Sequence, residues 1–374
     1  MLASSEPHPV APSSAPPAGG ARQQYLALVR GERRGAWPAL QRAGLRLAAV
    51  PYGAVVRVRN LLFDRGWLHS ETAAVPVVSV GNLTAGGTGK TPCVEYVARF
   101  YRARDRRVAI LSRGYGSEAG RNDEALVLEE NLPDVPHLQG PRRAALARAA
   151  VEELESEILV LDDGFQHRRL RRDLDLVLLD ATAPWGHGYL LPRGLLREPR
   201  SSLRRASVIA LSRCDQIGDE ERQVLKERVH ALAPEADVIE SRHEAVELVN
   251  SERATAGLEL LREGPMAAFC GLGNPDAFRR TLTDLGANVA AFRAYPDHFA
   301  YGRADVDALD TWGRSLPRDA ALVTTQKDLV KLRVASLGGR PLWALRVAWR
   351  VENGRDVLER HLRSVLPNLS EPRP

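Results

Sequence analysis

The chain has 374 residues, of which 44% are apolar and 26% charged, a composition typical of a globular protein with enough chain for two domains. The formal net charge is only +5 and aromatic residues make up 6%, which argues against a nucleic-acid motor with stacking aromatic side chains in a basic groove. The three cysteines, Cys93, Cys214 and Cys270, form no C-x-x-C pair, so neither a disulfide framework nor a zinc site is expected and a reducing compartment fits.

The first 74 residues divide into a tail and a helical region. Residues 1–22 are rich in Pro, Ala and Ser without periodicity, which predicts a disordered tail. No basic segment followed by an apolar core occurs there, so a signal peptide is not expected. Residues 23–74 are predicted to form an N-terminal helical region.

Within that region, residues 39–67 set five arginines among Leu, Val, Phe and Trp side chains. This pattern is typical of a basic amphipathic helix at a membrane surface. The longest charge-free run, residues 47–56, is too short to span a bilayer. Pro51 and Gly53 are predicted to break or kink the helix. A helix that packs only on its own domain fits this segment equally well.

Residues 75–92 are the most informative stretch of the chain. A β-branched apolar strand, a glycine-rich turn, a Lys-Thr pair and a helix follow one another, which is the order of a phosphate-binding P-loop. The glycines allow backbone N–H groups to converge on phosphate oxygens, and the helix N-terminus adds partial positive charge. Lys90 is predicted to reach the β- and γ-phosphates and Thr91 to help hold Mg²⁺. Thr84 stands where the common pattern has its first glycine, and the alternative is a glycine-rich turn before an ordinary helix.

Strands and helices alternate along the rest of the chain. Strands are predicted at residues 107–112, 125–128, 157–164, 174–179, 206–211, 267–271, 289–292, 321–325 and 342–347, and helices at residues 142–154, 275–285 and 305–312. Residues 327–332 follow the strand at 321–325 as a further segment without an assigned structure. This alternation predicts an α/β fold with a mostly parallel sheet, helices on both faces, and ligands at the carboxyl ends of the strands. We predict a P-loop kinase domain over residues 75–240 and a smaller C-terminal α/β domain over residues 241–374 that completes the active-site cleft.

Two adjacent carboxylates, Asp162 and Asp163, end one of these apolar strands. A carboxylate at the tip of a strand beside a P-loop can hold Mg²⁺ directly or through water. Two Asp residues at a strand end are often only a turn, but their position downstream of a P-loop favours a metal-side pair. The sequence therefore predicts a Mg²⁺-dependent nucleotide site.

Seven ordered motifs resemble the tetraacyldisaccharide 4′-kinase (LpxK) family. They are Val-Gly-Asn-Leu-Thr-Ala-Gly-Gly-Thr-Gly-Lys-Thr-Pro at 80–92, Leu-Ser-Arg-Gly-Tyr-Gly at 111–116, Asp-Glu at 123–124, Leu-Asp-Asp-Gly-Phe-Gln-His at 161–167, Leu-Leu-Pro-Arg-Gly-Leu-Leu-Arg-Glu-Pro at 190–199, Tyr-Pro-Asp-His-Phe at 295–299 and Thr-Thr-Gln-Lys-Asp at 324–328. The resemblance implies an enzyme that transfers the γ-phosphoryl of ATP to the 4′-hydroxyl of a tetraacylated disaccharide 1-phosphate, giving lipid IVA. It also implies an N-terminal membrane-associated helix, which favours the amphipathic interpretation of residues 39–67.

The resemblance also implies roles for individual residues. Asp123 matches the family's proposed base, His298 the histidine that pairs with it, and Lys90 the P-loop lysine. Nucleotide contacts are implied for Gly86, Gly87, Thr88, Gly89, Lys90, Thr91, Glu124 and Arg113; substrate contacts for Asn82, Arg143, Gln166, His167 and Arg197; and metal contacts for Thr91, Asp162, Asp163 and Glu198. Guanidinium groups suit this chemistry because they bind phosphate in bidentate fashion.

The expected partners are ATP, Mg²⁺, the lipid substrate and a membrane surface, and nucleic acid is not expected. The resemblance places such an enzyme at the cytoplasmic face of the inner membrane as a peripheral or monotopic protein. One alternative is a P-loop nucleotide-dependent switch or binding module that does not act on lipid. A switch would need a guanine-specifying Asn-Lys-x-Asp-like motif, which we do not find.

Overall fold

The computed structural model describes residues 21–114 and 123–366. The predicted tail lies outside these ranges except for its last two residues, which begin the first helix. Residues 115 and 116, which end the second family motif, and the segment before Asp123 also lie outside them.

The described ranges contain ten α-helices and thirteen strands. The helices are α1 (Ala21–Arg30), α2 (Ala36–Asp64), α3 (Lys90–Arg102), α4 (Asp123–Asn131), α5 (Arg143–Glu152), α6 (Asp219–Leu232), α7 (Pro275–Asp284), α8 (Arg303–Ser315), α9 (Gln326–Leu332) and α10 (Arg355–Ser364). The strands are β1 (Val77–Asn82), β2 (Val108–Ser112), β3 (His137–Gln139), β4 (Ile158–Asp162), β5 (Leu174–Asp180), β6 (Val208–Ser212), β7 (Asp237–Val249), β8 (Thr255–Ala256), β9 (Pro265–Cys270), β10 (Asn288–Ala294), β11 (Ala321–Thr325), β12 (Ser336–Leu337) and β13 (Arg340–Asn353).

The strands form one sheet in the order β10-β9-β11-β13-β7-β6-β5-β1-β4-β2-β3, with β8 and β12 paired at its side. The P-loop strand β1 lies between β4 and β5, pairs with both in parallel, and is buried along its whole length. This confirms the predicted α/β fold with a mostly parallel sheet. Because parallel strands end at the same edge, β1 and β4 bring the P-loop and the two carboxylates together.

The long antiparallel ribbon of β7 and β13 joins the two predicted domains. β7 crosses residue 240, and the C-terminal helix α10 returns to the P-loop half, where Tyr101 donates a hydrogen bond to the carbonyl of Leu362 at 2.8 Å. Trp349 and Leu362 belong to the same apolar core as the P-loop strand. The division at residue 240 stays a prediction, and the two halves share one sheet and part of one core.

One predicted strand is wrong. Residues 125–128 lie inside the helix α4, which begins with two acidic side chains, Asp123 and Glu124. Acidic residues in a first turn stabilise a helix through its dipole. Four apolar residues are too few for periodicity to distinguish a strand from a helix.

Of the break or kink predicted at Pro51 and Gly53, the break is wrong, because α2 runs without interruption from Ala36 to Asp64 through Pro51. The kink stays a prediction. Pro51 lacks the N–H that the carbonyl four residues earlier would accept, but the rest of the helix continues past it. Gly53 is buried for a packing reason, since a Cβ there would lie 2.8 Å from Leu190 Cδ1. Within the described ranges, no helix is both long and apolar enough to cross a membrane.

Candidate active site

The P-loop is braced from within by Asn82, at the end of β1. Its amide Nδ2 donates to the Thr84 carbonyl at 2.8 Å and to Thr88 Oγ1 at 3.0 Å, and its Oδ1 accepts a hydrogen bond from Lys90 Nζ at 3.3 Å. Asn82 is fully buried. This fits a brace that fixes the loop better than the predicted contact with substrate.

The loop carbonyls are held from outside by three residues that sequence reasoning missed. Arg213 donates to the Gly87 carbonyl at 3.0 Å and Ser212 to the Thr88 carbonyl at 3.3 Å, while a ring nitrogen of His243 lies 3.2 Å from the Gly89 carbonyl. Ser212 ends β6 and His243 lies on β7, so both reach the loop through the sheet. The sequence offers a sign of the first two contacts, because the polar pair Ser212-Arg213 stands at the end of a buried strand, where ligand-binding residues are expected. Nothing in the sequence around His243 indicates its contact with the loop.

Asp162 and Asp163 lie beside the P-loop in contrasting environments. Burial raises the pKa of Asp162 to about 6, although Lys90 acts in the opposite sense. Burial would also raise the pKa of Asp163, but the charges of Lys90 and Arg197 outweigh it and hold that pKa at about 2. Asp163 Oδ1 lies 3.4 Å from Lys90 Nζ. Asp163 has a left-handed φ of 53°.

Two predicted arginines converge on Asp163. Arg197 Nη1 donates to both carboxylate oxygens, at 2.8 and 2.7 Å, and Arg143 Nη1 donates to the Asp163 carbonyl at 3.1 Å. Arg143 begins α5 and is only 3% exposed, so it is not the solvated surface residue that an arginine in an Arg- and Ala-rich run suggests. The predicted Lys90, Asp163, Arg143 and Arg197 are therefore one cluster.

Gln166 and His167 extend this cluster. Gln166 Nε2 donates to the Asn82 carbonyl at 2.9 Å, and its Oε1 lies 3.4 Å from Arg197 Nη1. Burial and the charges of Arg143 and other nearby arginines lower the pKa of His167 to about 4. His167 Nε2 is buried with no hydrogen-bond partner in the described part of the chain. The ring is thus a neutral group among guanidinium charges, where an anion would be favoured.

A testable consequence concerns acid stability. Since the pKa of His167 is about 4 rather than 6.5, the unfolded chain binds a proton here that the folded chain does not as pH falls from about 6.5 to 4. Stability contributed by His167 is present above pH 6.5 and lost across this window. We expect the unfolding free energy of His167→Gln to fall less than that of wild type between pH 7 and pH 5, measured by urea denaturation. His230→Gln, at an exposed position on α6, should follow wild type; a His167→Gln curve parallel to wild type would contradict the interpretation.

The predicted acid–base pair is formed across the two halves of the chain. His298 Nδ1 lies 3.0 Å from Asp123 Oδ2, with Asp123 at the start of α4 and His298 in the loop after β10. Burial acts to raise the pKa of Asp123, but the hydrogen bond with His298 and the charge of Lys331 outweigh it and hold the pKa below its ordinary value. Glu124 pairs with Lys327 at 3.1 Å, and the charge of Lys90 also lowers the pKa of Glu124. The start of α4 therefore lies close to the P-loop lysine.

Glu198 has different neighbours from the predicted ones. It is 1% exposed, and its carboxylate pairs with Arg205 at 2.7 Å and Arg59 at 3.6 Å and accepts a hydrogen bond from Asn60 at 3.0 Å. Arg59 and Asn60 belong to α2, so Glu198 attaches that helix to the rest of the chain. Arg113 lies near enough to Arg143 for its charge to help lower that residue's pKa, after the larger effect of burial.

Comparison with known proteins gives one family. A family model described as Tetraacyldisaccharide-1-P 4'-kinase (LpxK) matches residues 41–367. A protein named Tetraacyldisaccharide 4'-kinase from Anaeromyxobacter sp. (strain K) is 44% identical over 369 residues, covering 92% of this chain and 96% of the relative. The protein of that name from Anaeromyxobacter dehalogenans (strain 2CP-1) is 46% identical, covering 90% and 93%. Among solved structures, LpxK from Aquifex aeolicus in complex with ATP matches with a TM-score of 0.72 and 30% identity, over 87% of this chain and 100% of that chain.

Proposed function

The chain belongs to the tetraacyldisaccharide-1-phosphate 4′-kinase family, and from this membership we propose how its residues perform the reaction. It is an ATP-dependent kinase that phosphorylates the 4′-hydroxyl of tetraacyldisaccharide 1-phosphate, giving lipid IVA in lipid A biosynthesis. A nucleotide-dependent switch that does not act on lipid is not favoured by these relatives. What remains to be assigned is the role of each side chain.

The nucleotide phosphates are proposed to lie on the P-loop. Its carbonyls are held on the outer side by Arg213, Ser212 and His243, which leaves backbone N–H groups and the start of α3 to face an anion. Gly86, with φ 131°, and Gly89, with φ 78°, permit this path. Lys90 is proposed to reach the β- and γ-phosphates, releasing its contact with Asp163 to do so.

Mg²⁺ is proposed to be held by Thr91 and Asp162, with Asp163 beside them. Asp162 fits a metal ion because its Oδ1 is buried with no hydrogen-bond partner among the described residues. Within those ranges no group of three or more His, Cys, Asp or Glu side chains is arranged as a metal site. A bound Mg²⁺ supplies neutralisation of phosphate charge during transfer. For Glu198 we propose an anchoring role, since its carboxylate is already paired with two guanidinium groups.

Asp123 is proposed to accept the proton of the 4′-hydroxyl, with His298 orienting its carboxylate. Phosphoryl transfer requires mainly positioning and charge neutralisation, so a carboxylate within hydrogen-bond reach of the hydroxyl is the remaining element. Arg143, Arg197, Gln166 and His167 are proposed to bind the anionic disaccharide. Arg197 would exchange the Asp163 carboxylate for a substrate phosphate oxygen, since a guanidinium binds carboxylate and phosphate groups alike.

The Asp123–His298 contact carries this proposal, because it supplies a carboxylate with an orienting partner and because Glu124, next to Asp123, lies within reach of the charge of the P-loop lysine Lys90. The test incubates the purified protein with γ-labelled ATP and tetraacyldisaccharide 1-phosphate in detergent micelles. We expect label to appear in the lipid. Lipid IVA, whose 4′-hydroxyl is already phosphorylated, is the matched control and should remain unlabelled. ATP binding without label transfer to the open hydroxyl would contradict the proposed function.

The exposed face of α2 is proposed to lie on the cytoplasmic face of the inner membrane as a peripheral or monotopic contact. Trp37, Leu40, Leu47 and Val50 are each more than 60% exposed on one helix whose other side is fixed to the protein, and arginines lie between them. Opposite this face, α2 contacts the active-site segments: Tyr52 donates to the Arg197 carbonyl at 2.9 Å.

We expect the double variant Leu47→Glu/Val50→Glu to lower partition onto vesicles of mixed neutral and anionic lipid at least about tenfold, since two apolar side chains that insert contribute about 1.5–3 kcal/mol each when fully buried. Co-sedimentation with vesicles measures this. Leu154→Glu, which places the same charge at an exposed apolar position outside α2, should partition like wild type. Equal partition of the double variant and wild type would contradict the membrane assignment.

A further inference from the structure

Lys331, near the end of α9, contacts three groups around the proposed base. Its Nζ lies 3.5 Å from Asp123 Oδ2, 3.2 Å from Asp328 Oδ1, and donates to the Phe299 carbonyl at 3.0 Å. Phe299 follows His298 directly, so Lys331 touches both Asp123 and the loop that carries its partner. The Lys331 side chain is only 11% exposed, which restricts it to this position.

The anchor of this arrangement is Asp328, whose side chain is completely buried. It accepts hydrogen bonds from the Gly271 amide at 3.0 Å, Thr325 Oγ1 at 2.6 Å and the Tyr301 hydroxyl at 3.1 Å. Burying a carboxylate is costly unless it is paired and hydrogen-bonded, so this set of donors holds the Asp328 side chain in one position. The ion pair with Asp328 in turn restrains the Lys331 side chain.

Two further polar contacts attach α9 to α4. Gln326 Nε2 donates to Asn131 Oδ1 at 3.1 Å and Lys327 Nζ to Glu124 Oε1 at 3.1 Å. With Lys331 and Asp123 they form three contacts along two neighbouring helices. The motif Thr-Thr-Gln-Lys-Asp at 324–328 therefore begins the helix that faces the proposed base.

We propose that Lys331 is a positioning residue for the reaction. Held by the buried Asp328, it restrains Asp123 through an ion pair and His298 through the neighbouring Phe299 carbonyl. The inference rests on the proposed role of Asp123 as base. His298 has a left-handed φ of 57°, a conformation that persists only when the surroundings determine it, and Lys331 binds the next carbonyl along the chain. One cation thus fixes both members of the pair.

The charged and titratable groups that face Asp123 come from two elements besides its own helix. They are the cations Lys331 and Lys327 from α9; the titratable His298 faces Asp123 from the loop after β10, and Glu124 is the acidic neighbour on α4 itself. A cation close to a carboxylate favours its ionised form. Removing Lys331 should therefore raise the pH at which the base becomes protonated, as well as loosen its position.

The test compares Lys331→Met with wild type in the labelled-ATP assay across pH. We expect kcat to fall at least about tenfold, because small misplacements of reacting groups are costly, with KM for ATP within about twofold. The acid limb of the kcat/KM profile should move upward by about one pH unit or more. Lys331→Arg, which keeps the charge, should restore the position of the limb.

Control variants separate the effect of Lys331 on Asp123 from the general effect of losing a buried ion pair. Lys226→Met removes a lysine that pairs with another buried carboxylate, Glu240, and should leave the pH profile unchanged. If Lys331→Met does not fold, Lys331→Gln, which keeps a donor without the charge, is compared with Lys331→Arg in the same way. A charge-free variant with the wild-type kcat and acid limb, while Asp123→Asn is inactive, would overturn the inference alone. Full turnover by Asp123→Asn would overturn the base assignment and this inference with it.

Discussion

Replacing Asp123 with Asn is expected to lower kcat by about 10²–10⁴-fold while leaving ATP affinity within about twofold. The substitution keeps the shape of the side chain but removes the group that accepts the hydroxyl proton. Asp123 lies 3.0 Å from His298 and starts α4 outside the P-loop, so the phosphate-binding amides are untouched. Label transfer under saturating substrates measures kcat, and calorimetric titration with ATP measures affinity.

A second Asp–His pair in the same chain provides the control. His361 Nε2 lies 2.7 Å from Asp237 Oδ2, where α10 packs near the start of β7. Asp237→Asn removes the carboxylate from that pair and is expected to keep wild-type kinetics. His298→Gln should lose less activity than Asp123→Asn because it alters orientation and leaves the base. Wild-type turnover by Asp123→Asn would show that another group accepts the proton.

The carboxyl end of the central strands could be predicted from sequence because local pattern and chemistry coincide there. The strand β1 is an unbroken buried run that leads to Lys90, and β4 is a second buried run that leads to Asp162. Parallel pairing then brings their ends together without further information. Once the two strands are recognised in the sequence, Lys90 and Asp162 can be predicted to lie close together.

Contacts between distant segments could not be predicted in this way. The base and its histidine are 175 residues apart, and only the family resemblance linked Asp123 to His298. His243 lies on β7, a long strand whose half-buried pattern gives no sign that one side chain reaches the P-loop. Glu198 pairs with Arg59 of the distant helix α2, a partner that its sequence motif does not indicate, and its predicted metal contact stays a prediction.

The ribbon of β7 and β13 explains how these distant parts are brought together. β7 pairs with β6 in the P-loop half and with β13 along most of its length, and β13 in turn pairs with β11. α9 follows β11 directly, so Lys331 and Asp328 are positioned by the same sheet that carries the P-loop.

Replacing Gly89 with Ala is expected to lower kcat/KM for ATP at least about 100-fold. Gly89 has φ 78° at the start of α3, and a left-handed non-glycine residue costs about 1–3 kcal/mol. A Cβ there would also lie 1.9 Å from His243 Nε2, so the loop or the histidine must move. Since each 1.4 kcal/mol is a factor of ten, strain and overlap together reach this magnitude. Steady-state kinetics with varied ATP measure the loss.

The two causes can be separated by adding His243→Ala to the first change. Removing the ring relieves the overlap but not the backbone strain, so the double variant should recover about tenfold of the loss and no more, because the strain itself remains. Gly218→Ala is the matched control: Gly218 also precedes a helix, but its φ is −70° and nothing lies within 4 Å of the added Cβ, so kinetics should be unchanged. If His243→Ala restores nothing, backbone strain alone accounts for the loss and the histidine does not limit the position of the loop.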